Sequence, residues 1–255
     1  RTTMKTQSMP ALCSLAALAG ILLILPAASA AQAPFEGTLN VTKGEKGKID
    51  TAEFKCTLKG EEVTLPVLVD KTVRQMAEES DGGILQVVGS VFNRKGEKWL
   101  KVRSFSHVFI GMVTTDRDDK KDVTGGRVRD EKSGTTHSVI PGKAGLKLLT
   151  DLDGKRAYVI GKFLKKKGKT LLMVTSCFPV ETLVGTVETK EDKKKNPVAA
   201  WLVVTADNKN VRYAIVLDSL GQGIMATEKG AKISATSSIV KKGKQVKIHD
   251  YKKGD

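Results

Sequence analysis

Alternating apolar and polar residues mark out short strands along most of the chain. The clearest runs are Val63 to Val69 and Val211 to Leu217, in which every second residue is apolar. This period of two is typical of a strand that has one face in a hydrophobic core. Each run is followed by an aspartate, Asp70 or Asp218, which predicts the N-cap of a short helix.

The pattern repeats along the chain with a fixed period. Gly37, Gly111 and Gly185 each open a segment, and they lie 74 residues apart. A turn residue follows each glycine after 23 positions, namely Gly60, Gly134 and Asn208. Self-similarity at a fixed period indicates a tandem array. We therefore predict three repeats, residues 31–109, 110–182 and 183–255, after a leader of residues 1–30.

Repeats 1 and 3 stay aligned over most of their length. The second strand of repeat 1, Phe54 to Leu58, matches Leu202 to Ala206 in repeat 3, and the alternating runs above form the third strands. The short helix comes next, and two strands follow it. These last strands are predicted at Leu85 to Val91 and Trp99 to Phe105 in repeat 1, and at Ile233 to Val240 and Val246 to Tyr251 in repeat 3.

Repeat 2 shows the same plan less clearly. Its last two strands, Ala157 to Leu164 and Leu171 to Val174, have the pattern of a hairpin. Its second and third strands, Arg127 to Lys132 and Thr135 to Ile140, are polar, and Pro141 follows them. This composition predicts that these two strands are edge-like or loosely packed.

Three strands, a short helix and two further strands are the element order of the OB-fold, a small five-stranded Greek-key barrel. Over residues 35–252 the chain resembles a tandem array of OB-like domains, and in a general way the small exported OB-fold proteins of bacterial envelopes. No diagnostic motif carries this resemblance, so it assigns no site residue. It implies a mainly β protein of three five-stranded OB-like barrels, each with one short helix between strands 3 and 4. SH3-like or sandwich domains are the structural alternative.

The first 30 residues have the pattern of a secretory signal peptide. Met4 and Lys5 form a short basic region, Ala11 to Leu25 an apolar stretch, and Ala28 to Ala30 a small-residue cleavage site. The apolar stretch is shorter than the roughly 20 residues of a membrane-spanning helix. We therefore predict cleavage before Ala31, a periplasmic or extracellular location, and no membrane span after cleavage.

The basic character of the chain belongs to its mature part. The formal net charge is +15, and it falls only to +13 when the two basic residues of the leader, Arg1 and Lys5, are removed. Most of the cations are lysines, which suit loose attraction to polyanions, whereas arginine recognises phosphate in a fixed geometry. The expected partner is therefore an acidic envelope polymer, a glycan or a peptide, and specific nucleic-acid recognition is not expected.

The repeats act as internal controls for the two mature cysteines. Cys56 occupies the position of Val204, and Cys177 that of Phe105, and both are core positions. We predict buried free thiols in separate cores, rather than the disulfide that export would allow. The three histidines have no zinc-ligand spacing. Since no nucleophile with its base and no acid pair is visible, we predict no enzyme activity, metal or cofactor.

The first candidate binding surface is the loop between the last two strands, which is lysine-rich in every repeat. In OB-folds this loop flanks the ligand face. These loops, here called the basic hairpins, carry Arg94, Lys95, Lys98, Lys165, Lys166, Lys167, Lys169, Lys241, Lys242 and Lys244. They either present basic patches to a polyanion or keep the turns soluble and protect sheet edges from aggregation.

The second candidate is the outward side of strands 2 and 3 in repeat 3. This repeat 3 face comprises Trp201, Val203, Arg212, Ala214 and Val216. It makes the sheet apolar on both sides, whereas the corresponding positions of repeat 1 are polar. An apolar face of this kind is covered by a neighbouring repeat, a partner or a ligand.

Taken together, these features favour an exported, non-enzymatic binding or adaptor protein of the cell envelope that uses OB-like repeats. The alternative is a structural envelope protein whose repeats form a rigid body without a dedicated ligand. The two differ in one respect that can be measured, since only the first has a surface built to hold another molecule.

Overall fold

The computed structural model describes residues 34–58, 61–80, 82–166, 168–206, 209–240 and 243–254. The predicted leader and the turn residues Gly60 and Asn208 lie outside them. The strands are β1 Phe35–Lys43, β2 Ile49–Leu58, β3 Glu61–Pro66, β4 Ile84–Arg94, β5 Glu97–Arg117, β6 Val123–Asp130, β7 Thr136–Val139, β8 Arg156–Lys166, β9 Lys169–Pro179, β10 Glu181–Glu191, β11 Pro197–Ala206, β12 Lys209–Ile215, β13 Lys232–Val240 and β14 Gln245–Lys253. The helices are α1 Lys71–Glu79, α2 Lys143–Asp151 and α3 Ser219–Thr227.

The strands form one closed barrel and one large sheet. The barrel has the order β10-β11-β12-β14-β13, and its β12–β14 pair is parallel. The sheet has nine strands in the order β3-β2-β1-β4-β5-β6-β7-β9-β8, and β5 also pairs with β8. The prediction of a mainly β protein with a short helix between the third and fourth strands of each repeat is confirmed. Within the described ranges, every helix is too short or too polar to cross a membrane.

Strand β5 belongs to two repeats. It runs for 21 residues, pairs with β4 over its first part and with β6 over its last part, and its middle pairs with β8. The predicted boundary between residues 109 and 110 falls inside this strand. Repeats 1 and 2 are therefore joined by continuous backbone hydrogen bonding. Repeats 2 and 3 are joined differently, because the last strand of repeat 2, β9, is followed by the single residue Val180 and then by the first strand of repeat 3, β10.

Each repeat packs its own hydrophobic core, as the alternation of apolar residues requires. The largest fully buried side chains include Phe54, Met76 and Leu100 in repeat 1, Leu148, Leu149 and Leu172 in repeat 2, and Leu202, Ile224 and Ile233 in repeat 3. Burying such side chains provides roughly 1.5–3 kcal/mol each. The helix of each repeat contributes to its core, which is how a nine-residue helix is stabilised.

The glycine that marks the period has a steric reason. A Cβ atom at Gly37, Gly111 or Gly185 would overlap the backbone carbonyl oxygen of the neighbouring second strand, which belongs to Lys55, Arg129 or Val203. Only glycine lets the first strand approach the second so closely. The glycine recurs every 74 residues because each repeat makes the same close backbone contact between its first and second strands.

The two aspartates at the ends of the alternating runs are helix caps, as predicted. The Asp70 carboxylate accepts a hydrogen bond from the Val73 backbone N–H at 3.0 Å, and the Asp218 carboxylate accepts one from Gly221 at 3.0 Å. Helix α2 begins after Gly142, which has no capping side chain. This difference explains why the helix of repeat 2 is hard to recognise in the sequence.

Two details of the strands differ from the predictions. The third strands end at Pro66 and Ile215 rather than at Val69 and Leu217, because the chain crosses there towards the fifth strand and Leu68 N–H donates to the Leu100 carbonyl. Strands β6 and β7 were predicted to be edge-like or loosely packed, and the edge-like alternative is wrong. Strand β6 lies between β5 and β7, and β7 lies between β6 and β9. Their polar residues form the solvent-facing side of interior strands.

Candidate functional site

The basic hairpins correspond to the turns β4–β5, β8–β9 and β13–β14. Lys95 and Gly96 have positive φ angles of 51° and 86°, which a two-residue turn between twisted strands requires. The Arg94 guanidinium lies 4.9 Å from the centre of the Trp99 ring. Lys167, Lys241 and Lys242 lie outside the described residues. The remaining cations of the set are exposed, at Lys98, Lys165, Lys166, Lys169 and Lys244.

The repeat 3 face is brought together as predicted by strand pairing. Trp201 lies opposite Ala214, and Val203 lies opposite Arg212. The Arg212 guanidinium stacks 4.0 Å above the centre of the Trp201 ring and is 3.0 Å from the Glu188 carboxylate. Val216 follows directly after β12 and is half-buried, as are Trp201, Val203 and Ala214. Within this face, Arg212 therefore shields part of the indole from water.

Neither predicted surface lines the cavity that the described residues of the three repeats enclose together. This junction cavity has a volume of about 740 Å³ and lies where the three repeats meet. Its volume is in the range of small-molecule and peptide-segment sites. Its walls include Thr38, Lys55 and Ile84 from repeat 1, Ile110, Glu131 and Tyr158 from repeat 2, and Asp218, Leu220, Lys247 and His249 from repeat 3.

One carboxylate in this cavity joins the three repeats. Glu36 accepts a hydrogen bond of 2.6 Å from the Tyr158 hydroxyl and one of 2.7 Å from the Lys247 ammonium. The same ammonium donates to Asp218 at 2.7 Å. The Tyr158 ring packs against the His249 ring, with 4.9 Å between ring centres and an angle of 36° between the ring planes. We call Glu36, Tyr158, Asp218, Lys247 and His249 the junction cluster.

Strand geometry turns the side chains of Lys247 and Tyr158 away from the cores of their own repeats. Lys247 stands between the core residues Val246 and Ile248, so the alternation of a strand turns it away from the core. Tyr158 likewise stands between Ala157 and Val159, which are both fully buried. Asp218 has two roles, because one oxygen caps α3 and the other accepts from Lys247.

The junction cluster is largely shielded from water. The exposed fraction of the side chain is 12% for Lys247, 22% for Glu36 and 25% for Asp218. Burial by itself lowers the pKa of Lys247, but the charges of Glu36 and Asp218 outweigh it, so the pKa lies above its ordinary value. Burial and the nearby Glu36 carboxylate both raise the pKa of Tyr158. Burial, together with Lys247, lowers the pKa of His249 to about 4.

These protonation states determine what the cluster can do. At neutral pH, Lys247 is a paired cation rather than a free amine, so it lacks the character of a nucleophile or general base. Tyr158 and His249 are neutral. Two carboxylates and one ammonium leave the cluster with one net negative charge, which favours neutral or cationic molecules in the cavity over polyanions. Other ion pairs at the cavity, such as Lys55–Glu62 at 2.8 Å, add no net charge because each joins one cation to one anion.

An apolar cluster lies beside these polar groups. Val108, Tyr158 and Ile160 are buried together, and Phe178 and Val180 pack against them. Strand β8 is therefore buried on both faces, one in the core of repeat 2 and the other in this cluster. The uninterrupted apolar run Ala157 to Ile160 is the sequence signal for this. The sequence analysis predicted strands that are apolar on both sides in repeat 3, but it missed the same property of β8 in repeat 2.

The two thiols belong to separate cores as predicted, but only Cys56 is buried, whereas Cys177 is half-buried. Cys56 is buried in the core of repeat 1, and Cys177 packs against the core of repeat 2, so the two belong to separate cores. Burial raises the pKa of both thiols. In the part of the chain that the structure describes, no three side chains of the metal-binding types come together as a site.

Comparison with known proteins gives no family. No protein-family model matches the chain, and no curated protein matches its sequence. Among solved structures, wild-type single-stranded DNA-binding protein from Thermus aquaticus is 12% identical, with 58% of this chain and 91% of that chain covered and a TM-score of 0.20. Drosophila Unr CSD456 is 9% identical, with 88% and 98% covered and a TM-score of 0.20. At such scores the whole chains do not superpose, so these likenesses carry no information on what this chain binds.

Proposed function

We propose that this protein is an exported, non-enzymatic binding or adaptor protein that holds its ligand in the junction cavity. The observation that carries the proposal is a cavity of about 740 Å³ lined by residues of all three repeats. Its walls combine apolar side chains such as Ile84, which is 45% exposed, with the polar groups of the junction cluster. A few convergent polar groups in an apolar concavity are typical of ligand sites.

We further infer that the three repeats are OB-like barrels. Support comes from the strand pairings, because the closed order of repeat 3 has counterparts in the large sheet. In repeat 2, β5-β6-β7-β9-β8 returns to β5 and contains the parallel pair β7–β9. In repeat 1, a parallel bridge between Val67 and Leu100 links the end of the third strand to the fifth. A parallel contact between the third and fifth strands is thus present in every repeat.

The chemistry of the cavity favours a peptide as its ligand. An extended peptide offers apolar side chains for Ile84, Ile110 and Leu220 and backbone amides for the polar groups. The net negative charge of the junction cluster favours a peptide with a basic residue and disfavours an acidic polymer. Polyanions are instead expected at the basic hairpins, where attraction is loose and sensitive to salt.

Chemical-shift mapping tests this assignment. The isotope-labelled protein is titrated with pools of short basic-apolar peptides, with neutral glycan fragments and with heparin as a polyanion. The proposal requires shifts at cavity residues such as Ile84, Ile110 and Leu220 with at least one peptide pool, and a weaker response to acidic versions of the same peptides. Shifts only at exposed hairpin residues, or none with any pool, would overturn the cavity as the ligand site.

The basic hairpins provide the control for loose polyanion binding. In the triple variant Lys165→Ala, Lys166→Ala and Lys167→Ala, heparin binding should become less dependent on salt, because fewer counterions are released. Peptide binding in the cavity should not change. Equal loss of both activities in this variant would contradict the separation of the two surfaces.

A structural role without a ligand is the second candidate, and one observation favours it. The 21-residue strand β5 and the two-sided burial of β8 make repeats 1 and 2 a continuous body. A protein that acts only as a rigid spacer requires such a continuous body and does not require a ligand site. A protein that binds none of the ligand pools but whose deletion changes envelope integrity would support this role over the first.

A further inference from the structure

The three repeats are not joined to one another equally. Repeats 1 and 2 share β5, and β5 pairs with β8 from His107 opposite Gly161 to Met112 opposite Arg156. In the described ranges, the barrel of repeat 3 shares no strand pairing with the nine-stranded sheet. Its covalent connection to β9 is Val180, whose N–H donates to the Arg156 carbonyl at 3.0 Å. Repeat 3 can therefore turn about this residue without the loss of any strand pairing.

Polar contacts hold repeat 3 over the cavity. Lys247 of repeat 3 donates to Glu36 of repeat 1, and the His249 ring of repeat 3 packs against the Tyr158 ring of repeat 2. The Lys247 ammonium also lies 5.7 Å from the centre of the Tyr158 ring. These contacts lie on the wall of the cavity. Breaking them would leave repeat 3 held to the other repeats by the packing of β13 against β9, which lies next to Val180.

We propose that repeat 3 is a hinged cover of the junction cavity, with its hinge at Val180 and a latch formed by Lys247 with Glu36 and by His249 with Tyr158, and that acid releases this latch. The proposal concerns the protein without any ligand, so it does not depend on the proposed function.

The groups that face His249 explain the direction of the pH effect. Lys247 and Arg156 oppose a second cation there, and Asp218 favours one, but burial is the largest influence and keeps the ring neutral. The imidazole Nε2 is 3.0 Å from the Ser238 hydroxyl. When repeat 3 turns away, Tyr158 no longer covers the imidazole ring of His249. The pKa of His249 then returns towards its ordinary value of 6.5. The open form then binds a proton that the closed form does not.

The size of the effect follows from the two pKa values. Between pH 6.5 and about 4, one additional proton in the open form favours opening by up to about ten-fold for each unit that the pH falls. Over the whole window this amounts to roughly 300-fold. Below pH 4 the contribution of His249 to opening no longer changes with pH.

Small-angle X-ray scattering with far-UV circular dichroism tests the latch. The purified mature protein is measured between pH 7.5 and pH 4.5. We expect the radius of gyration to rise as the pH falls while the β-sheet spectrum is retained. His249→Gln, which keeps a hydrogen-bonding group for Ser238 but cannot become charged, should weaken the acid response. Glu36→Gln should already be more open at pH 7.5, and Glu188→Gln, which affects an exposed ion pair of repeat 3, should behave as wild type.

Three results would overturn the proposal. Scattering curves of the folded wild type that superpose from pH 7.5 to pH 4.5 would exclude an acid-released cover. Loss of the β-sheet spectrum at the same pH as the expansion would show global unfolding instead. An unchanged pH midpoint of the expansion in both His249→Gln and His249→Phe would exclude this histidine as the group that responds to acid. His249→Phe is included because it keeps an aromatic ring against Tyr158.

Discussion

Replacement of Glu36 by glutamine should separate the stability of repeat 3 from that of the rest of the chain. Glu36 accepts one hydrogen bond from Tyr158 and one from Lys247, whose side chain is only 12% exposed. A hydrogen bond to a charged group contributes about 1.5–3 kcal/mol. The glutamine keeps one acceptor oxygen but loses the charge, and Asp218 still pairs with Lys247. We therefore expect a loss of about 2–3 kcal/mol at this junction.

The two tryptophans allow this loss to be assigned to a repeat. Trp99 lies in β5 of repeat 1 and Trp201 in β11 of repeat 3, and the chain has no other tryptophan. Urea unfolding is followed by fluorescence in Trp99→Phe and Trp201→Phe backgrounds, with and without Glu36→Gln. The transition reported by Trp201 should move to lower urea more than the transition reported by Trp99.

Glu188→Gln is the matched control for this experiment. Its carboxylate is 3.0 Å from Arg212, but the two side chains are 50% and 52% exposed, and exposed pairs contribute at most about 1 kcal/mol. The reasoning about the junction fails if Glu36→Gln costs less than about 0.5 kcal/mol, or no more than the control. It also fails if both tryptophans report the same shift.

Three further predictions concern the thiols, the periodic glycine and the leader. Cys56 and Cys177 should react with a thiol reagent only on unfolding, because burial raises the pKa of both and the thiolate is the reactive form; a mass two hydrogens below the reduced value would contradict this. Gly111→Ala should destabilise by about 1–3 kcal/mol in thermal unfolding, whereas Gly223→Ala, where the added carbon meets no neighbour within 4 Å, should not destabilise, and equal effects would refute the steric argument. N-terminal sequencing of the exported protein should begin at Ala31, and retention of the leader would disprove the cleavage site.

The local structure of this protein could be predicted from its sequence because it rests on contacts that are close along the chain. Alternation fixes which side of a strand is apolar, as in Val63 to Val69, and an aspartate before a helix caps it within three residues, as Asp70 does. The period of Gly37, Gly111 and Gly185 indicated a repeated architecture before any contact was known. The positions of the two thiols followed from the same comparison between repeats.

The junction could not be predicted, because its residues are distant in the sequence and ordinary in their own repeats. Lys247 reads as an outward-facing lysine on a strand, and Glu36 as a polar residue beside a glycine. Their ion pair spans 211 positions. Only the packing of the three repeats brings them together, shields them from water and lowers the pKa of His249 to about 4. The sequence by itself thus determined the repeats and their cores, whose contacts are set by local periodicity. The tertiary structure alone decided where the cavity and its charges lie, because these depend on how the repeats are oriented against one another.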